Sequence, residues 1–157
     1  MAEITLAKAL KVKNRLTGRL AKVQADIQAF NSIPEGQAGQ VNVPVLMKTR
    51  EELVGALVAL KTAINETNRE SQRDIYDLAE KKATAQFLGG LNTRHGRQPA
   101  VYPSTTEVNY VAALKKSDVD ALLVRLEYEI DQLQDRLDQF NHVHKIEVDG
   151  RILELAS

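Results

Sequence analysis

The sequence predicts an all-α protein: four helices, two long and two shorter, forming two helical hairpins in a coiled-coil-like bundle. Three observations lead there. Apolar residues recur at alternating steps of four and three in Leu16, Leu20, Val23, Ile27 and Phe30, and again in Leu53, Leu57, Leu60 and Ile64. The longest such series is Val119, Leu123, Leu126, Ile130, Leu133, Leu137 and Phe140. This spacing keeps one side of a helix apolar and calls for a partner helix along its length. Second, Pro and Gly punctuate the chain near 34–44 and 89–103, where helices have to stop. Third, aromatic residues make up only 4% and Trp is absent, so the core has to be aliphatic.

The first helix spans 5–31, with Thr5 as N-cap because its hydroxyl can accept a backbone N–H left orphaned at the helix start. A loop at 32–48 follows. The second helix covers 49–71 and opens on Thr49-Arg50-Glu51-Glu52, where Thr49 and Glu52 can satisfy each other's backbone donors. A third helix at 74–88 carries Ile75, Leu78, Ala79 and Ala83 on one face, and Gly89-Gly90 ends it. The loop 89–105 leads to a short strand at 106–111, where Val108 and Tyr110 alternate with polar residues. The fourth helix covers 117–141, opened by Ser117-Asp118-Val119-Asp120 with carboxylates beside the positive helix end. In the tail, 142–157, apolar residues alternate around Asp149-Gly150, which predicts a small C-terminal β-hairpin over 146–152.

A length of 157 residues suits one domain, and 43% hydrophobic with 27% charged residues fits a packed chain rather than a disordered one. Zero Cys removes disulfides, thiolate nucleophiles and thiolate metal sites, and fits a reducing compartment. A charged start followed by an apolar run is missing, as is an 18-residue apolar stretch. The expectation is a cytoplasmic protein with neither signal peptide nor membrane span.

Several motifs resemble the septicolysin-like family of small bacterial proteins. Asn65-Glu66-Thr67-Asn68 closes the second helix, Leu78-Ala79-Glu80-Lys81-Lys82 lies in the third, and Thr106-Glu107-Val108-Asn109-Tyr110-Val111 precedes a long acidic final helix. The likeness covers residues 5–145. It departs at Asn141-His142-Val143-His144, where the family has Asn followed by an aromatic residue, and in the added tail. The resemblance implies an uncharacterised all-helical protein. Its family name suggests a membrane-active reading, against which stands the lack of any bilayer-crossing segment.

Charge is balanced overall but unevenly placed. Lys8, Lys11, Arg15, Arg19 and Lys22 share one side of the first helix, about 110° from its apolar seam at 100° per residue. Asp120, Glu127, Asp131, Asp135 and Asp138 share one side of the fourth. These stripes either meet, within the chain or between copies, and set orientation, or stand as solvated faces. Nucleic acid is not an expected partner, because no aromatic interleaves the basic residues and the whole chain is neutral. Lys13 falls on the seam and either finds a carboxylate or snorkels outward.

Arg94, His95 and Arg97 gather cationic groups near Gly96 in the second loop, a candidate grip for a small anion. No phosphate-loop spacing, nucleophile elbow or Glu-x-x-His repeat accompanies them. His142 and His144 are too few for a convincing metal site, so neither catalytic residue nor cofactor is assigned. The leading function is a self-assembling structural or protein-interaction module, a homo-oligomer that can also take another protein. A metal-dependent hydrolase, or a binder of a small anion at Arg94–Arg97, is the alternative.

Overall fold

In a computed structural model, residues 1–37, 39, 41–100, 103 and 106–157 are described. The protein is mostly helical, with its four main helices in two pairs and two small two-stranded sheets. Contacts divide the chain into two compact units, residues 1–71 with 138–157, and residues 72–137.

The first unit is built on helices α1 (Leu6–Phe30) and α2 (Val43–Asn68). Thr5 caps α1 as its sequence suggests: its backbone is extended and its Oγ1 accepts from the Lys8 N–H at 3.2 Å. Leu6, Ala9, Val12, Leu16 and Val23 of α1 are buried, as are Leu53, Ala56, Leu57, Leu60 and Ile64 of α2. Leu6, Leu16, Leu53 and Leu60 are fully enclosed. Leu20 and Ile27 of the predicted seam are partly buried against this cluster. Lys13 is half-exposed, as a snorkelling lysine would be.

The start of α2 corrects the expected boundary at Thr49. The helix begins six residues earlier, at Val43, where the Asn42 Oδ1 accepts from the Val45 N–H at 3.2 Å. Pro44 lies in the first turn, where its missing N–H has no helical acceptor to lose, so it begins the helix instead of breaking the loop. Thr49 then sits inside the helix, its hydroxyl donating to the Val45 carbonyl at 3.2 Å. A 3-10 turn, Arg69–Ser71, follows α2, and buried Ser71 donates its hydroxyl to the Asn68 carbonyl.

Strand β1 (Ala2–Thr5) belongs to the same unit. Its antiparallel partner is a distant strand, Lys145–Val148, in the register Ala2↔Val148 and Ile4↔Ile146. The predicted hairpin at 146–152 is therefore absent. Asp149 instead caps a short helix, Gly150–Leu155, its carboxylate accepting from the Arg151 N–H at 2.9 Å. Ile4, Ile146, Val148, Ile152 and Leu155 extend the α1–α2 core.

The second unit holds helix α3 (Gln72–Gly89) and most of helix α4 (Lys116–Val143). Between them strands β2 (Gly96–Gln98) and β3 (Val108–Tyr110) pair antiparallel in the register Gly96↔Tyr110 and Gln98↔Val108. The expected strand is thus present in shortened form, and the expected loop contains a second strand. Gly96 has φ +84°, a left-handed conformation that glycine adopts without steric cost. Residues 101, 102, 104 and 105 of that loop, and 38 and 40 of the earlier one, lie outside the described residues. Numbered in chain order, the Lys145–Val148 strand is β4 and the Gly150–Leu155 helix is α5.

Candidate functional site

In the second unit α3 and α4 are joined by a small apolar cluster and a set of ion pairs. Leu78 of α3 is buried with Leu133 and Leu137 of α4, flanked by Ile75 and Ile130. The Lys81 ammonium reaches the Glu129 carboxylate at 2.7 Å, Arg125 adds a second bond to Glu129 at 3.2 Å, and Arg136 meets Asp74 at 3.2 Å. Both partners of the first pair are biased by it. The hydrogen bond from Lys81, then that from Arg125, holds the Glu129 carboxyl below the usual carboxylate range. The bond to Glu129 pushes the Lys81 ammonium above the ordinary lysine value. A groove of about 310 Å³ runs beside these groups, lined by Asp77, Lys81, Tyr128, Glu129 and Gln132 among others. Its two lining cations, Lys81 and Arg136, are each paired with a carboxylate, Glu129 and Asp74.

Much of the apolar surface in this unit stays uncovered. Tyr76 and Phe87 on α3 are 64% and 65% exposed, and Val124 and Tyr128 on α4 are 68% and 66% exposed. Ala79 and Ala83, expected on the packed face of the third helix, are exposed instead; Ile75 and Leu78 face α4. The periodicity of α3 allows two apolar faces, and α4 covers one of them.

The two charge stripes lie where periodicity puts them. Lys8, Lys11, Arg15, Arg19 and Lys22 are all exposed on α1. Arg19 donates to the Leu155 carbonyl at 2.8 Å, which ties α1 to α5. Within their own unit, Lys8, Lys11, Arg15 and Lys22 have no carboxylate within 4.0 Å among the described residues. On α4, Asp120 is paired with Lys116 one turn before it at 3.0 Å. Glu127, Asp131, Asp135 and Asp138 are exposed along the same side. Val124, which falls within this acidic side, was not singled out by sequence; its spacing from Asp120 and Glu127 was the available signal.

The Arg94–Arg97 segment is organised by the β2–β3 ribbon. The Arg94 guanidinium lies 5.8 Å from the centre of the Tyr110 ring. The Ala112 N–H donates to His95 Nδ1 at 3.1 Å, which leaves Nε2 to carry the proton of the neutral ring. Arg97 faces Glu107 at 3.8 Å, with both side chains mostly exposed. Arg94, His95 and Arg97 are all exposed, and each has a partner on or beside β3: the Tyr110 ring, the Ala112 N–H and Glu107.

Helix α4 runs past Asn141, so His142 is still helical and its Nδ1 meets the Asp138 carbonyl at 2.7 Å. His144 lies just beyond. Its ring stacks on Phe140 at 3.7 Å, Nδ1 donates to the Phe140 carbonyl, and Nε2 is 3.7 Å from Glu70. Sequence spacing did not suggest this packing role. Among the described residues no three His, Asp or Glu side chains gather as a metal site would need. No described helix is long and apolar enough to cross a membrane.

Comparison with known proteins adds to this at the level of fold. No protein-family model matches the chain, and no curated protein matches it. Among solved structures, the chain is similar to the crystal structure of a functionally unknown conserved protein from Corynebacterium diphtheriae. The TM-score is 0.74 at 21% sequence identity, over 93% of this chain and 100% of that one. The match shows a fold shared with a bacterial protein of unknown function.

Proposed function

We propose that the protein is a cytoplasmic structural or interaction module that assembles with copies of itself through helix faces. One observation carries this reading: α3 and α4 enclose only a small apolar cluster while Tyr76, Phe87, Val124 and Tyr128 remain largely exposed. Large exposed apolar side chains on two adjoining helices are candidates for a contact surface where they join into one patch. The zero Cys content supports a reducing compartment. The septicolysin-like family remains our family reading, supported by the quoted motifs and the mostly helical fold. Self-association is tested by light scattering across a concentration series. A mass above that of one chain, rising with concentration, is the expected result, and a single-chain mass throughout overturns the proposal.

A further inference from the structure

We infer that the contact between copies is made by the basic side of α1 in one chain and the acidic side of α4 in another. The inference rests on the self-association proposed above and names its surface. Lys8, Lys11, Arg15, Arg19 and Lys22 follow one another at steps of three, four, four and three. Val124, Glu127, Asp131, Asp135 and Asp138 repeat the same steps on α4. Two helices laid side by side with equal steps keep every position opposite a counterpart, so four cations meet four carboxylates in one register.

The step pattern is the same read forwards or backwards. Parallel helices bring Lys11, Arg15, Arg19 and Lys22 opposite Glu127, Asp131, Asp135 and Asp138. Antiparallel helices bring Lys8, Lys11, Arg15 and Arg19 opposite Asp138, Asp135, Asp131 and Glu127. Arg15 faces Asp131 in both. All ten positions are exposed. Four of the basic residues have no carboxylate partner in their own unit, and Glu127, Asp131 and Asp135 have no Lys or Arg within 4.0 Å in theirs, among the described residues. Exposed ion pairs are individually weak, so the stripes set orientation and register. Val124 within the acidic side and Tyr128 beside it supply apolar area to the same contact. A second copy is the occupant with the matching spacing, whereas an outside polyanion would match only the charge of α1.

The chain has no Cys, so single cysteines can be placed without background. Arg15→Cys protein is mixed with Asp131→Cys protein and treated with a short bismaleimide. The expected product is the mixed dimer, formed in preference to either variant linked to itself. Lys8→Cys then links to Val124→Cys if the helices run parallel, and to Asp138→Cys if they run antiparallel. Independently, the triple reversal Lys11→Glu, Arg15→Glu and Lys22→Glu weakens association at least about tenfold, and adding Asp131→Lys and Asp135→Lys restores it. Circular dichroism verifies that each variant is folded. Multimers that cross-link without a 15–131 product and ignore the reversals overturn this inference and leave self-association standing. A single-chain mass at every concentration overturns both, including the case where α1 then retains heparin.

Discussion

At the scale of single residues, the Lys81–Glu129 pair is where protonation enters the stability of the α3–α4 hairpin. The Glu129 carboxyl is held below its ordinary value by Lys81 and then by Arg125, so its contribution is complete above the ordinary carboxylate range. That contribution fades as pH falls from the ordinary value through the lower folded one. Lys81, raised by the same contact, gives the mirror result: its contribution is complete below the ordinary lysine value and fades as pH rises through the higher folded one. Both side chains are about a third exposed or slightly less, so solvent screens the effect and keeps it small. Thermal melts of wild type and Glu129→Gln should therefore converge as the solution is acidified below the carboxylate range and separate near neutrality. A constant gap across that range counts against the pair. The enclosed leucines are worth more. Leu16→Ala, at a fully buried site, should cost about 2–5 kcal/mol, whereas Val58→Ala, 61% exposed on α2, should stay within about 0.5 kcal/mol. Denaturant midpoints decide this comparison.

At the scale of elements, two sequence signals competed for the start of α2, and the local hydrogen bonds show which prevailed. Asn42→Ala removes the side-chain acceptor for the Val45 N–H and should cost about 1 kcal/mol of stability. Thr49→Ala removes only a hydroxyl that donates to a carbonyl already in the helical ladder, and should cost much less. If chemical denaturation shows the larger loss for Thr49→Ala, the helix begins where the capping box placed it. The contrast also explains what was legible in the sequence. Thr5, the seams of α1 and α2 and the length of α4 could be read because caps and apolar spacing act within a few turns. The tail misled because Asp149-Gly150 is a local turn signal, while the true partner of β4 is β1, at the other end of the chain, and nothing local encodes that pairing. The charged sides of α1 and α4 were legible by periodicity alone. The ribbon that engages Arg94, His95 and Arg97 was not, since β2 is a three-residue strand with no alternating apolar pattern.

At the scale of the whole molecule, the two units differ in how much apolar surface they enclose. In the first, fifteen described apolar residues join one buried cluster drawn from α1, α2, β1, β4 and α5; in the second, Leu78, Leu133 and Leu137 form the cluster between two helices. Burial of apolar area is the main favourable term in folding, so local opening should be easier in the second unit. Backbone amides of α3 and of α4 up to Leu137 should exchange with deuterium sooner than those of α1 and α2 when the protein is dilute. Concentration separates intrinsic weakness from missing partners. If copies pair α4 with α1, the amides of both helices should slow as concentration rises, while those of α2, which contributes no residue to the proposed contact, should change little. Mass spectrometry of exchanged peptides resolves the units. Equal protection in both at high dilution would mean that the ion pairs and the small leucine cluster hold the second hairpin as firmly as a full core. The exposed Tyr76, Phe87, Val124 and Tyr128 would then no longer argue for a covering partner.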